Sequence, residues 1–181
     1  FQNNEDLNYF LQKKITKKSN SELIPGSGVD LKKFKFTPIN KKNKKFIFLL
    51  VARLLEDKGI YEYIEAIKII KNTHPNELIE FQLLGEVNSI NKTAIGFSEL
   101  NDWIDQNLIN YLGTTDHVES IMVGCDCVLL PSYREGFPKI LIEAAACGRA
   151  VVTTDVPGCK DAILNKSTGL LVPSKDSKEL A

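Results

Sequence analysis

Unbroken apolar runs that alternate with helical patterns constrain this chain more than any other feature. Phe46-Ile-Phe-Leu-Leu-Val-Ala52 contains no polar residue, the pattern of a strand covered on both faces rather than wet on one. Beyond it, Ile60, Ile64, Ile67 and Ile70 recur at helical spacing with Tyr63 and Ala66 beside them. Residues 60–71 therefore read as an amphipathic helix, with Asp57 placed to cap it. Ile79-Glu-Phe-Gln-Leu-Leu-Gly85 is the next strand, Ser98 is placed to cap a helix reaching Gln106, and residues 108–112, 118–123, 128–130 and 150–153 continue the alternation. Strands separated by helices predict an α/β fold: a Rossmann-like, doubly wound parallel sheet with right-handed crossovers and helices on both faces. With 181 residues, 43% of them hydrophobic, the chain can bury one such core.

The first forty residues are a lead-in. Asp6 to Lys14 can form a short helix with Leu7, Phe10 and Leu11 on one side, and residues 21–24 read as a strand stopped by Pro25-Gly26. Asn40-Lys-Lys-Asn-Lys-Lys45 is a basic connector.

Charge and cysteine content narrow the function. Lys+Arg and Asp+Glu both number 23, a balance that points away from nucleic acid and leaves peripheral contact as the only membrane role. No run reaches transmembrane length, and no basic-then-apolar leader opens the chain, so the expected location is cytoplasmic or peripheral at the inner membrane face. Cys125, Cys127, Cys147 and Cys159 lack metal-ligand spacing with either histidine and read as reduced packing residues.

The chemistry concentrates in Pro131-Ser-Tyr-Arg-Glu-Gly-Phe-Pro-Lys-Ile-Leu-Ile-Glu-Ala-Ala-Ala-Cys-Gly148. Pro131 stops the strand before it, Pro138 suits a first helical turn, and Gly148 suits a helix end, so the stretch reads strand, loop, helix. The N–H groups of Lys139, Ile140 and Leu141 at the helix start favour an anion such as phosphate. Gly136, without a Cβ, permits close approach to the backbone. Glu143 lies roughly 7 Å along the axis from Pro138, placed to accept hydrogen bonds from a vicinal diol such as a ribose. Glu135, on the other side of the helix start, faces whatever the diphosphate carries. Other polar residues also follow strands: Arg53 and Lys58 the first, Gly85-Glu86 the second, Gly113-Thr-Thr-Asp116 the next, and Asp155 a later one. Parallel sheets bind ligands at that carboxyl edge.

Glu135-Gly-Phe-Pro-Lys-Ile-Leu-Ile-Glu143 resembles the Glu-x7-Glu motif of the retaining, nucleotide-sugar-dependent glycosyltransferases of family 4, which have the two-domain GT-B architecture. Ile24-Pro-Gly-Ser-Gly-Val-Asp30, Val51-Ala-Arg-Leu-Leu-Glu-Asp-Lys-Gly59, Leu83-Leu-Gly85, Tyr111-Leu-Gly113, Ala150-Val-Val-Thr-Thr-Asp155 and Thr168-Gly-Leu-Leu-Val-Pro173 extend the resemblance over residues 21–181. The first block carries one residue more than the common Pro-Asn-Gly-Val-Asp. The resemblance implies that residues 21–181 are the C-terminal, donor-binding half, stopping short of its end, and that residues 1–20 are the tail of a preceding domain. It implies diphosphate binding by Arg53 and Lys58, and donor-sugar contact by Glu135. Gly136, Phe137, Lys139, Ile140, Leu141 and Glu143 would complete the donor site, with Thr115 as a base contact. Glu135, Arg53 and Lys58 would take part in the chemical step.

No Asp-x-Asp pair occurs, so neither a metal nor another cofactor is expected, and the partners implied are a nucleoside-diphosphate sugar and a glycan or lipid-linked acceptor held by the other domain. A chain that starts at Phe1 and stops at Ala181 is expected to bind donor yet transfer no sugar alone. A non-catalytic nucleotide-sugar-binding module and a sugar-nucleotide epimerase of related architecture are the alternatives. A nicotinamide- or ATP-binding module is disfavoured, because neither Gly-x-Gly-x-x-Gly after a strand nor Gly-x4-Gly-Lys-Ser/Thr is present.

Overall fold

A computed structural model describes residues 1–39, 45–87 and 90–181. Six parallel strands form one sheet: β1 (Phe46–Val51), β2 (Ile79–Leu84), β3 (Asn110–Tyr111), β4 (Cys127–Leu130), β5 (Ala150–Thr154) and β6 (Leu170–Val172), in the order β3-β2-β1-β4-β5-β6. The helices are α1 (Asn4–Gln12), α2 (Ile60–Thr73), α3 (Phe97–Asp105), α4 (Val118–Met122), α5 (Lys139–Ala146) and α6 (Ser177–Leu180). The doubly wound, Rossmann-like α/β fold is as the alternation predicts.

Register explains why the strands are apolar throughout. Leu50 pairs with Leu83 on one side and Leu129 on the other, making one row across three strands. Side chains alternate between faces along a strand, so Leu50, Leu83 and Leu129 join Ile60, Ile64 and Ile67 of α2 and Leu100 and Trp103 of α3. Leu49, Leu84, Val128 and Leu130 join Met122 of α4 and Leu141 and Ala144 of α5. Burying a side chain of this size contributes about 1.5–3 kcal/mol. The two cores therefore clamp the central strands from both faces, and the strand ends are held as a fixed rim.

All four cysteines are free and buried, as their apolar surroundings suggested. Burial pushes the thiols of Cys125 and Cys127 up to about 12, helped by the neighbouring Asp126 charge.

Several local expectations need correction. Residues 21–24 form no strand; Ile24 N–H is taken by the carbonyl of Phe1 instead. Asp57 does not cap α2: it lies in a 3-10 turn (Glu56–Lys58), and Gly59, in a left-handed conformation, is the N-cap. Ser98 lies inside α3, whose start is closed by the Glu99 carboxylate accepting from Gly96 N–H at 3.2 Å. The run 108–112 contributes only Asn110–Tyr111 to the sheet, while Leu108 and Ile109 bury themselves as a lead-in. α1 starts before Asp6, at Asn4, because Asn3 caps it. The basic connector lies outside the described residues apart from Lys45, which meets Glu80 at 3.4 Å.

Candidate active site

The strand order fixes where a ligand can enter. The chain winds β1 to β2 to β3 in one direction and β4 to β5 to β6 in the other. The loops leaving the adjacent β1 and β4 therefore lead in opposite directions, and sheets of this kind bind ligands at that point. Residues 52–59 and 131–138 flank it as two walls.

These walls are joined closely. A Cβ on Gly59, whose φ is 72°, would collide with the carbonyl oxygen of Pro131, so this close approach requires glycine. Tyr133 N–H donates to the carbonyl of Asp57 at 2.9 Å. Across the same junction Lys58 Nζ donates to Glu135 Oε1 at 2.6 Å, and the side chains are 17% and 15% exposed. The fully buried Ser132 donates its hydroxyl to the same oxygen at 2.8 Å. Lys58 and Glu135, widely separated in sequence, are thus one unit at the switch point. Arg53 stands exposed just beyond β1, and among the described residues its guanidinium has no protein partner.

α5 supplies the third wall. Lys139 and Ile140 N–H groups have no backbone partner among the described residues, and they open the helix after Pro138. The Leu141 N–H is not free as the sequence suggested: it donates to the Pro138 carbonyl at 3.3 Å, and its side chain is buried in the core. A tightened first turn absorbs that donor. Glu143 keeps its side chain 13% exposed, 3.9 Å from Lys139 Nζ. Burial holds the Glu143 carboxyl above the usual carboxylate range, and the Lys139 and Lys33 charges pull it partly back.

Two residues of the expected set serve packing as well. Phe137 lays its ring against Gly26, tying the site to the Pro25-to-Asp30 segment. The space left by the absent Cβ of Gly136 is taken by Gln2, so the approach that glycine permits on that side is made by the chain itself. Thr115, half-buried in the loop after β3, accepts from His117 N–H at 3.0 Å.

Three further residues take part that no sequence motif singles out. Lys33 donates to the Asp116 carbonyl at 2.9 Å and meets Glu119 at 3.4 Å, so it links the loop after β3 to the Glu143 side of the rim. Ser132 lies within the Pro131-to-Gly148 stretch, and its bond to Glu135 has no spacing signature. Asn3 was hidden in a lead-in, although an Asn three residues before an acidic one is a helix-start signature. A cavity of about 620 Å³ lies away from the rim, over the sheet face beside α2 and α6, lined by Phe48, Tyr63, Phe81, Leu129, Val152 and Leu180 among others. No helix among the described residues is long and apolar enough to cross a membrane.

Fold and rim define the class, a Rossmann-like α/β domain with cations and a helix start gathered at its switch point. Within that class the chain belongs to the group 1 glycosyl transferases, whose family pattern matches residues 32–181. It is 32% identical over 189 aligned positions to the N,N'-diacetylbacillosaminyl-diphospho-undecaprenol alpha-1,3-N-acetylgalactosaminyltransferase of Campylobacter jejuni, covering 98% of this chain and 48% of that protein. It is 33% identical to the capsular polysaccharide biosynthesis glycosyltransferase CapM of Staphylococcus aureus, covering 77% of this chain and 36% of the relative. The chain thus spans half or less of the length of these relatives. Among solved structures, Anabaena Alr3699/HepE in complex with UDP superposes with a TM-score of 0.80 at 22% identity, over 98% of this chain and 50% of that one. A glycosyltransferase from Rickettsia africae gives 0.83 at 18% identity, over 99% and 50%. At such identities the match concerns the fold.

Proposed function

We propose that this chain is the donor-binding half of a retaining GT-B glycosyltransferase of family 4, which moves a sugar from a nucleoside diphosphate to a glycan or lipid-linked acceptor. The observation that carries the reading is the Lys58–Glu135 pair at the switch point, set between the exposed Arg53 and the start of α5. A diphosphate over this junction meets the Arg53 and Lys58 cations and the N–H groups of Lys139 and Ile140. Its sugar lies at Glu135, its ribose at Glu143 and its base by Thr115.

As the bond from the anomeric carbon to the bridging phosphate oxygen breaks, the electron pair stays with that oxygen. Fixed cations and helix N–H groups then stabilise the leaving diphosphate more in the transition state than in the ground state. In this reading the charge of the leaving group is met by protein groups, with no metal required. The acceptor oxygen bonds to the same face of the sugar as its proton passes to the departing diphosphate oxygen. Glu135 contacts the sugar hydroxyls and faces the positive anomeric centre.

The relatives support a UDP-sugar as the first donor to test: Anabaena Alr3699/HepE was solved both with UDP and with UDP-glucose, and the Campylobacter relative is named for transfer onto a diphospho-undecaprenol. A lipid-linked acceptor of that kind would put the reaction at the cytoplasmic face of a membrane. A thermal-shift panel of UDP-, GDP- and ADP-sugars tests the reading. At least one should raise the melting temperature of the chain, and NAD and ATP should not. A response to NAD or ATP alone would replace a glycosyltransferase with a different Rossmann module.

A further inference from the structure

We propose that Asn3 is a positioning residue for Glu135, holding the Glu135 and Gly136 carbonyls so that the carboxylate stays at the donor-sugar position. The proposal rests on the role given to Glu135 above. Asn3 is 2% exposed, so both ends of its amide must find partners. Its Oδ1 accepts from Asp6 N–H at 2.8 Å, the capping bond of α1. Its Nδ2 donates to the Gly136 carbonyl at 2.9 Å, to Asp6 Oδ2 at 3.0 Å and at longer range to the Glu135 carbonyl at 3.5 Å. The carboxylate of that same Glu135 goes to Lys58 and Ser132. The main chain leaving Glu135 is thus held by Asn3, while its side chain is held by Lys58 and Ser132.

The surroundings reinforce this hold. Gln2 fills the space beside Gly136, and Gly158, from the other side, admits the carbonyls of Glu135 and Gly136 to where its own Cβ would stand, at 2.5 and 2.6 Å. Two ion pairs anchor the same helix turn to the loops, Asp6 with Arg134 and Glu5 with Lys160. Capping alone does not ask for asparagine, since Asp and Ser cap a helix as well. Only asparagine adds the N–H donor that the two carbonyls receive. α1 therefore acts on the Glu135 loop through a side chain chosen for more than helix formation.

Asn3→Asp separates the two tasks. It keeps the acceptor that caps α1 and replaces the donor with a carboxylate facing two carbonyl oxygens and Asp6. Carbon-detected NMR should show the Asp6 amide still hydrogen-bonded and the Glu135 side-chain carboxyl resonance displaced. In calorimetry, affinity for bare UDP should stay within about twofold, while the preference for UDP-glucose over UDP falls by about fivefold or more, as it does in Glu135→Ala. Adding Glu135→Ala to Asn3→Asp should cause no further loss of preference. An unmoved Glu135 carboxyl resonance overturns the proposal, as does an unchanged preference in Asn3→Asp alongside a lost one in Glu135→Ala. If the parent chain shows no preference for UDP-glucose, the sugar role of Glu135 fails for that donor, and the carboxyl resonance still decides whether Asn3 positions it.

Discussion

Replacing Lys58 with alanine removes the only cation within hydrogen-bonding distance of Glu135 among the described residues and leaves Ser132 as its remaining partner. Exposed ion pairs couple by about 0.2–1 kcal/mol, and breaking a fully buried pair costs about 3–5 kcal/mol. With side chains 17% and 15% exposed and an Nζ–Oε1 distance of 2.6 Å, this pair falls between, at about 1.5–3 kcal/mol for a charge-assisted bond. For a chain of this length the melting temperature should fall by roughly 3–12 °C in Lys58→Ala. Glu135→Ala in the Lys58→Ala background should recover much of that loss, because the stranded carboxylate is gone. Urea unfolding of the parent, both single variants and the double variant gives the coupling directly. The two partners should also separate in binding: Lys58→Ala should weaken bare UDP, whereas Glu135→Ala should leave it nearly intact. A coupling below about 0.5 kcal/mol would show that the pair is not the unit described, since independent sites add to that precision. Loss of bare UDP in Glu135→Ala would refute the placing of its loop.

Other consequences follow from the same rim and core. Glu143→Gln should separate stability from binding: burial raises the Glu143 pKa in the folded chain, so the folded state holds its proton to higher pH than the unfolded state. Parent stability therefore declines as pH rises from the unfolded carboxyl pKa through the raised folded one, and the penalty persists above it. The variant should melt higher than the parent at pH 7, lose that advantage at low pH, and bind nucleoside diphosphate less tightly. Arg53→Ala should leave the melting curve unchanged within about 0.5 kcal/mol, since the side chain is exposed, yet weaken nucleotide sugar roughly tenfold to a hundredfold by calorimetry. Cys125 and Cys127, buried with thiols pushed up to about 12, should resist maleimide labelling at pH 7 until denaturant opens the core.

The fold was legible because parallel strands must be apolar on both faces, and residues 46–52 and 128–130 could hardly be read otherwise. Strand ends were harder. Leu108 and Ile109 have the composition of a strand yet are buried by α3 packing, and nothing local distinguishes the two. Caps are hard to read where glycine takes the position: Gly59 and Gly96 have no capping side chain of their own, so Asp57 and Ser98 read as the better choices. The Glu135-to-Glu143 motif carries its own spacing and could be read directly, and so could Arg53 and Lys58 after β1. The Lys58–Glu135 bond could not, because it depends on β1 and β4 being neighbours, which is a property of strand order. Asn3 and Lys33 lay further from view still, since each acts across the fold on a loop more than eighty residues away.

The most direct test of the donor site is a two-dimensional NMR titration of this chain with UDP, UDP-glucose and UDP-N-acetylgalactosamine. Saturable shifts should centre on the amides of Arg53, Lys58, Thr115, Lys139, Ile140 and Glu143, with Glu135 and Gly136 responding to the sugar nucleotides and not to UDP. Shifts confined to the apolar cavity around Phe48, Leu129 and Val152, or none at any nucleotide concentration up to millimolar, would contradict a donor site at the switch point.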